Sequence, residues 1–511
     1  MNELTVYNKK FEWKPFLKKL ASIAVPIAIQ NLLTTTASMV DTMMVAPLGE
    51  LSVGALGLCA QFSSLLFSGY WGFVGGGMLF FSQYWGAKDD DGLDRSYGLT
   101  LVCMMTVALV FGLSAIFMPE IIMKIYTDKE EIRAIGREYL SIVGYAYILQ
   151  VFSMAMSCLL RSTERVRIPL VASIVSVGTN LFLNWVFIYG NLGAPEMGIK
   201  GAALATTIAA VTNVLTVLAM AGATGYQYLF HFNRHFLWNR QIVKEYFVKC
   251  FPIICNEVLV GVGNLIINIT LGRQSEEVIA ALAVFRTIEG LIIGFFAGFS
   301  NASSVLVGKC VGAGELDTAY ERAKRLVYLC SGVIFGVYCL LMAFHGPILH
   351  AMSLKGESFE IGTNLLMIFM VASVIRMGNW IQNDTYRAAG DAVYGTVLEI
   401  VFMYIVLIPC VLITGFVLKA PYWVIFICCY IDEPIRYCLM QIHLYSGKWI
   451  KPVTDLGRAA LPEFKKKQVC KASKKSEKCD VYPSKKTFKI LFLLILKSKF
   501  AMPSKEGILN N

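Results

Sequence analysis

The sequence predicts an all-α integral membrane protein whose twelve transmembrane helices form two parallel-related six-helix bundles. The composition, the long apolar runs and an internal repeat support this fold class. Of the 511 residues, 56% are apolar and 16% are charged, whereas soluble domains are about 45–50% apolar and about 25% charged. These values exclude a disordered chain and are atypical of a soluble multidomain protein. The 14 cysteines show no metal-site or redox spacing, so we predict that most are small membrane-core residues.

Apolar runs of about 20 residues are long enough to cross the hydrocarbon core of a bilayer. The runs are continuous rather than alternating, which excludes a transmembrane β-barrel. The twelve predicted spans are approximately 17–44, 51–82, 97–118, 137–160, 168–190, 199–222, 246–271, 278–306, 326–345, 360–384, 394–417 and 421–445.

Lys and Arg are concentrated in the N-terminal segment and in the loops on the same side of the predicted membrane. The positive-inside rule therefore predicts a multi-pass protein of the plasma (inner) membrane with both termini in the cytoplasm. The net charge of +11 follows from this bias and does not indicate nucleic-acid binding. The predicted organisation is a cytoplasmic N-terminal segment, a first bundle, a cytoplasmic linker, a second bundle and a basic cytoplasmic tail, at 1–16, 17–222, 223–245, 246–445 and 446–511.

The Lys-rich tail is expected to be solvated. Its apolar stretch, Phe488–Leu496, is too short to span a membrane. This stretch is expected either to lie on the membrane surface or to be disordered.

A shift of 226 residues aligns the first half of the chain with the second without a gap. An even number of spans in each half leaves both halves in the same orientation, so their pseudo-twofold axis runs along the membrane normal. Two parallel bundles that face each other across a cleft are typical of a transporter. The aligned pairs are Pro26 with Pro252, Ala55 with Ala281, Leu56 with Leu282, Gly72 with Gly298, Gly86 with Gly312, Ala87 with Ala313 and Arg161 with Arg387.

Each half has a proline inside its first helix, Pro26 and Pro252. Proline removes one backbone hydrogen bond and clashes with the preceding turn, which produces a kink or a hinge. Both a static kink and a moving hinge are consistent with the sequence.

Ionisable side chains inside apolar spans are candidates for function because burying a charge in a membrane costs several kcal/mol. Glu257 and Arg376 are predicted to form an ion pair, and Arg286 is positioned to pair with Glu289 at i,i+3. Asp41 has no such partner in its span, which favours a proton or sodium role, because desolvation raises the pKa of a buried carboxyl and lets it switch charge. The other buried acidic residues are Glu399 in helix eleven and Asp384 near the inner end of helix ten.

Helices five and six add neutral polar groups that are able to complete a cation site around Asp41. Asn180 and Asn184 lie one turn apart on one helical face, and Thr206 follows on the next helix. Their side chains supply oxygen ligands or hydrogen bonds. Plain interhelical hydrogen bonding is the alternative interpretation.

Other chemistries lack their motifs. The sequence has no phosphate-binding Gly-x-x-x-x-Gly-Lys-Ser/Thr loop, so ATP bound on this chain does not power it. His231 and His235 have i,i+4 spacing without a nearby acidic third ligand, which argues against a metal site. No nucleophile–base pair stands out. We therefore predict neither an enzyme nor a protein with a cofactor.

Residues 15–445 resemble the multidrug and toxic compound extrusion (MATE) family. In this order, within a duplicated twelve-helix chain, the motifs are fairly specific. They are Ala24–Pro26, Val40–Thr42, Gln83–Ala87, Leu160–Glu164, Asn180 with Phe187–Gly190, Gly201–Thr206, Val307–Lys309 with Gly312–Gly314, and Arg387–Asp391.

The resemblance implies a secondary antiporter that expels organic cations in exchange for Na⁺ or H⁺, with two bundles that rock between outward- and inward-open states. The family's N-terminal cation site corresponds to Asp41, Asn180, Asn184 and Thr206. Asn184 stands where the family often has Asp, so the two-carboxylate form of this site is absent. The implied partners are the lipid bilayer and a small organic cation, and the chain is expected to be a monomer.

The family's acidic residue in helix seven corresponds to Glu257. Arg376 occupies the neighbourhood in which some sodium-coupled members have a second acidic residue, so the coupling ion stays open. We expect Gln30, Arg376, Glu289 and Glu399 to form a substrate or ion-pair network. The alternative function is a flippase for lipid-linked oligosaccharide or peptidoglycan precursors, which needs a strongly cationic cleft. The mixed intramembrane charges favour an organic cation as cargo.

Overall fold

A computed structural model describes residues 11–352 and 354–478, with side chains through residue 468. Nearly all of these residues are helical, and no strand occurs among them. The helices are α1 (Trp13–Val45), α2 (Glu50–Ala87), α3 (Asp90–Phe117), α4 (Pro119–Tyr126), α5 (Glu130–Ser162), α6 (Arg167–Tyr189), α7 (Ile199–Ala223), α8 (Phe232–His235), α9 (Arg240–Leu271), α10 (Glu276–Gly312), α11 (Leu316–Ala343), α12 (His345–Ala351), α13 (Glu357–Ala388), α14 (Ala392–Phe402), α15 (Ile408–Leu412), α16 (Tyr422–Cys428), α17 (Glu433–Ser446) and α18 (Asp455–Lys478).

Within this described part of the chain, 11 helical segments are long and apolar enough to cross a membrane. They correspond to the first eleven predicted spans, and the predicted all-α membrane fold is confirmed. Several helices begin in a polar turn before the apolar run. Asp89 accepts a hydrogen bond from the backbone N–H of Gly92 at 2.8 Å at the start of α3, and Ser275 accepts from Val278 at the start of α10. These caps satisfy backbone donors that the first helical turn leaves free.

The twelfth predicted span, 421–445, is not one continuous helix. It consists of α16 and α17, with a turn between Cys428 and Glu433. Pro434 lies in the first turn of α17, where its missing N–H breaks the hydrogen-bond ladder and a new helix begins. The turn also places Asp432 and Glu433 inside the bundle, where both are buried.

The internal repeat is visible in the packing between the two halves. Gly72 of α2 lies against Ile254 of α9, and the aligned Gly298 of α10 lies against Ala28 of α1. A Cβ at Gly72 would approach Ile254 Cα at 2.6 Å, and one at Gly298 would approach Ala28 N at 2.6 Å. Only glycine allows such close backbone approach. Because these contacts are related by the same shift, each half packs its second helix on the first helix of the other.

The ends of α2 and α10 cross in the same reciprocal manner. A Cβ at Gly86 would collide with the carbonyl oxygen of Lys309, and one at Gly312 would collide with that of Gln83. We call this end of the molecule, where α1 and α9 begin and α2 and α10 finish, the closed end. Among the described residues, the hydrogen bonds and ion pairs that join the two halves lie between this end and the middle of α1, where Asn31 donates to the carbonyl of Gly294 at 3.2 Å.

The prediction of a solvated tail from residue 446 onward is wrong for its first part. Trp449, Ile450, Val453 and Thr454 are all buried, and α18 begins at Asp455. The Trp449 indole N–H donates to the carbonyl of Leu444 at 2.9 Å. This segment therefore belongs to the folded body, whereas the stretch 488–496 lies outside the described residues.

Candidate functional site

The structure brings together the four residues predicted for the N-terminal half, Asp41, Asn180, Asn184 and Thr206, which we call the carboxamide site. The side-chain N–H of Asn184 donates to Asp41 Oδ1 at 2.5 Å and to Asn180 Oδ1 at 3.3 Å. The side-chain N–H of Asn180 lies 3.4 Å from Thr206 Oγ1. Asp41 is thus held by a neutral amide donor rather than by a cation.

The carboxamide site leaves an acceptor without a partner. The side-chain oxygen of Asn184 is buried and has no hydrogen-bond donor, although a buried carbonyl oxygen ordinarily has one. Together with the Asp41 carboxylate it offers the hard oxygen ligands that Na⁺ prefers. Protonation of Asp41 is the other way to remove the uncompensated charge.

Gln30 lies in the N-terminal half, whereas the other members of its predicted network lie in the C-terminal half. It accepts a hydrogen bond from Arg161 Nη2 at 2.7 Å and donates to Ser173 Oγ at 2.9 Å. Arg161 is itself buried. The predicted network of Gln30 with Arg376, Glu289 and Glu399 is therefore wrong with respect to Gln30.

The C-terminal half encloses a larger set of ionised side chains, which we call the charge network. All of its members lie on α9, α10, α13, α14 or α17 or in the turn before α17. Its carboxylates are Glu257, Glu289, Asp384, Glu399, Asp432 and Glu433, and its guanidinium groups are Arg286, Arg376, Arg387 and Arg436.

The predicted pair of Glu257 with Arg376 does not form. Glu257 instead lies 3.3 Å from Arg387 Nη1, which also approaches Asp384 at 3.8 Å. Arg376 pairs with Glu289 at 2.9 Å. Helical spacing explains the difference, because Arg387 lies three turns closer than Arg376 to the closed end of α13, beside the level of Glu257 on α9.

Glu289 accepts from two guanidinium groups. The predicted i,i+3 pair with Arg286 is confirmed at 2.6 Å, and Arg376 binds the other carboxylate oxygen. Arg376 also lies over the ring of Tyr430, 5.7 Å from its centroid. Glu289 is thus neutralised locally.

Glu399 is the meeting point of α9, α13, α14 and α17. Its Oε2 accepts from the side chains of Asn256 at 3.0 Å and Asn383 at 3.2 Å. Its Oε1 lies 3.4 Å from Arg436 Nη2. Arg436 is also bonded to Asp432 at 3.0 Å. Glu399 therefore connects charged and neutral polar groups of four elements.

The sequence contained signals for the residues that were missed. Arg387 aligns with Arg161 in the repeat, and both arginines are buried. Asp432, Glu433 and Arg436 lie inside the predicted span 421–445, where ionisable residues are functional candidates. The sequence did not indicate which acidic residue pairs with which arginine, because this depends on which helices are neighbours in the fold.

A cavity of about 230 Å³ lies between α2 and the charge network. Its wall includes Trp71 of α2, Trp380 of α13, and the charged groups of Glu257, Arg387 and Glu399. The N-terminal half thus contributes Trp71 to the wall, and the C-terminal half contributes Trp380 together with the ionised groups. This arrangement is suited to a small solute that carries both apolar surface and charge.

A separate ionic contact joins the halves at the closed end. Glu164, in the loop after α5, lies 2.7 Å from Lys19 Nζ and 3.1 Å from Lys309 Nζ of the other half. Burial alone would raise the pKa of Glu164, but the two lysines outweigh it and lower this pKa below its ordinary value. The carboxylate is therefore ionised at neutral pH and holds α10 to the N-terminal half.

A protein-family model described as MatE matches residues 26–186 and 252–413. The two matched segments begin 226 residues apart, which is the shift that aligns the repeat. The family model therefore matches both halves separately.

Curated relatives match over most of their length. The sequence is 21% identical to an uncharacterized transporter, YisQ of Bacillus subtilis, over 84% of this chain and 95% of that protein. It is 24% identical to the probable multidrug resistance protein YoeA of the same organism, over 77% and 85%. It is 21% identical to the probable multidrug resistance protein NorM of Thermotoga maritima, over 87% and 96%.

Solved structures share the fold. A crystal structure of a MATE protein in the bent conformation superposes with a TM-score of 0.75 at 17% identity, over 84% of this chain and 96% of that one. An outward-facing multidrug resistance transporter of the MATE family superposes with a TM-score of 0.73 at 18% identity, over 86% and 100%.

Proposed function

This chain belongs to the MatE family of membrane transporters, and we propose that it exports small organic cations in exchange for Na⁺ or H⁺. It is a transporter rather than an enzyme. What we propose concerns the coupling ion, the cargo and the alternating-access cycle. Relatives named as multidrug resistance proteins support the cargo class.

The observation that carries the proposal is the environment of Asp41. Its carboxylate accepts a hydrogen bond from a neutral amide at 2.5 Å, and the neighbouring Asn184 oxygen has no donor. An anionic group without a protein counter-ion inside a membrane requires a mobile cation or a proton. Binding and release of that ion is the step that links Asp41 to transport.

The cavity beside the charge network supports an organic cation as cargo. Carboxylates outnumber guanidinium groups in the network, so the ionised form carries an excess of negative charge. Trp71 and Trp380 add aromatic surface to the wall, which attracts cations through the ring quadrupole. A strongly cationic cleft, as a pyrophosphate-bearing flippase substrate would need, is not what these residues form.

The transport cycle consists of alternating access between two bundles of residues 17–222 and 246–445. In the present conformation the closed end is sealed by reciprocal packing of α2 and α10. Pro26 and Pro252 lie inside α1 and α9, next to the close contacts at Ala28 and Ile254, and serve as hinges. The chain acts as a monomer in the plasma membrane with the closed end and both termini in the cytoplasm.

The proposal is tested in proteoliposomes that contain the purified full chain. Efflux of ethidium is measured under a sodium gradient alone and under a proton gradient alone, for the wild type and for Asp41→Asn. We expect one gradient to drive uphill transport in the wild type, and Asp41→Asn to reduce it to the passive background. Loss of the ionisable oxygen removes the only charge that the coupling ion neutralises at this site.

The matched control is Glu196→Gln, which neutralises an exposed acidic residue of the same half and should transport as the wild type does. Uphill transport by Asp41→Asn would contradict the role of Asp41. No transport of ethidium under either gradient would contradict the cargo class, and a labelled lipid-linked precursor would then be tested.

A further inference from the structure

Residues 447–461, which we call the strap, follow α17 and turn back across the closed end. Gly447 has a φ of 66°, a left-handed conformation that ends α17 and that glycine adopts without strain. Trp449 is fully buried and Val453 is 4% exposed. A segment that ends a membrane bundle and is buried to this extent is part of the packing at that end.

Most of the strap is bonded to the C-terminal half. The backbone N–H of Lys451 donates to the carbonyl of Ala389 at 2.9 Å, and Lys451 Nζ lies 2.9 Å from Asp391. Thr454 Oγ1 donates to the carbonyl of Gly312 at 2.8 Å. These bonds fix the strap beside the end of α10 and the loop after α13.

One side chain of the N-terminal half completes the arrangement. Gln83 of α2 is fully buried, and both of its side-chain polar atoms are used. Its Oε1 accepts from the backbone N–H of Val453 at 2.8 Å, and its Nε2 donates to the carbonyl of Ala388 at 2.7 Å. Gln83 therefore bonds the strap and the last residue of α13 at once, across the boundary between the halves.

The repeat gives this contact a counterpart. Gln83 aligns with Lys309, and Lys309 reaches the loop after α5 of the opposite half, where it binds Glu164. Each half thus extends one side chain from its second helix to the other half, Gln83 to the C-terminal end of α13 and Lys309 to the loop just after α5. Opening the closed end separates these elements, so both contacts must break together.

We propose that the strap, held by Gln83, is a latch that keeps the closed end shut and is released each time this end opens. The proposal rests on the alternating-access part of the proposed function. Gln83 is a positioning residue, because it acts through the strap and not on cargo. Its two hydrogen bonds are sheltered from water, where an unmet donor or acceptor is costly, so the latch favours the closed state.

The test is hydrogen–deuterium exchange measured by mass spectrometry on the full chain in lipid nanodiscs. The wild type is compared with Gln83→Ala, with the nearly isosteric Thr454→Val, and with the control Gln61→Ala, an exposed position on the same helix. We expect exchange of the strap amides to be about tenfold faster in Gln83→Ala, moderately faster in Thr454→Val and unchanged in Gln61→Ala. Thr454→Val covers the case in which Gln83→Ala fails to fold.

Glu164→Gln distinguishes a latch from a purely structural contact. Glu164 forms no bond with the strap, so its neutralisation speeds strap exchange only if the strap opens together with the closed end. The control is Glu196→Gln. Faster exchange near Lys309 without faster exchange in the strap would overturn the proposal, as would wild-type strap exchange in both Gln83→Ala and Thr454→Val. The exchange measurement needs no cargo, so its outcome is separate from that of the ethidium assay.

Discussion

The N-terminal half places one carboxylate, Asp41, among neutral amide and hydroxyl neighbours, whereas the C-terminal half encloses a network of six carboxylates and four guanidinium groups. The backbones are related by the same repeat in both halves. Aligned glycines permit the same close helix contacts in each. The difference therefore lies in the side chains, and under the proposed function it gives the two copies of one bundle different tasks.

The buried arginines illustrate this difference most directly. Arg161 binds the neutral side chain of Gln30 at 2.7 Å, whereas the aligned Arg387 binds the Glu257 carboxylate at 3.3 Å. Arg161 thus leaves Asp41 without a guanidinium partner, and under the proposed function Asp41 is free to take an ion. The C-terminal half compensates most of its charges internally, which suits a site that holds cargo rather than one that exchanges a coupling ion.

The largest effect is expected from removing these two arginines separately. Arg387→Ala leaves Glu257 and Asp384 without their cation, and breaking a buried ion pair in this way costs about 3–5 kcal/mol. Arg161→Ala leaves only the neutral side-chain oxygen of Gln30 without its donor, for which about 1–2 kcal/mol is expected. The measurement is the free energy of unfolding in detergent for both variants and the wild type.

A double variant checks the cause of this difference. Arg387→Ala combined with Glu257→Gln should recover part of the stability, because the uncompensated carboxylate is then gone. Equal losses in Arg161→Ala and Arg387→Ala would show that the two halves do not differ in charge compensation.

An intermediate effect is expected from Asn184→Asp, which places a second carboxylate beside Asp41. Two carboxylates in one site favour a bound cation, because like charges raise the cost of ionising both. We expect the sodium concentration for half-maximal transport to fall about tenfold. Sodium-dependent ethidium efflux measures this change, with Asn180→Asp as the comparison one turn away. An unchanged sodium dependence would indicate that the carboxamide site does not bind sodium.

The sequence predicted the membrane fold, the two-bundle repeat and the meeting of Asp41 with Asn180, Asn184 and Thr206. The fold and the repeat follow from apolar length and from the 226-residue shift, whereas the meeting of Asp41 with the three neutral residues is what the resemblance to the MATE family implied. The partner of Glu257 was not predictable, because several arginines lie within reach of a charged residue on a neighbouring helix. The burial of the strap was missed because Lys451 and Arg458 give it the composition of a solvated tail, while its buried groups make backbone bonds.

The smallest effect concerns the ion pair of Lys309 with Glu164 at the closed end. Gln83, which aligns with Lys309 in the repeat, is neutral and forms no such ion pair. The pKa of Glu164 is below its ordinary value because Lys19 and Lys309 stabilise the carboxylate against the effect of burial. The stability that this ion pair contributes is therefore fully present above the ordinary pKa of a glutamate. It is lost as the pH falls through the lowered pKa of Glu164.

We accordingly expect hydrogen–deuterium exchange of the α10 segment that contains Lys309 to rise only a few-fold on acidification, since Lys309 is partly exposed and solvent screens the pair. In Glu164→Gln the rise in the same segment should be smaller than in the wild type, after correction for the intrinsic pH dependence of amide exchange. Asp391 also has a lowered pKa, because His443 and Lys451 outweigh its burial, so the strap should loosen in the same direction. An undiminished rise in Glu164→Gln would show that the pH response of α10 comes from Asp391 and not from Glu164.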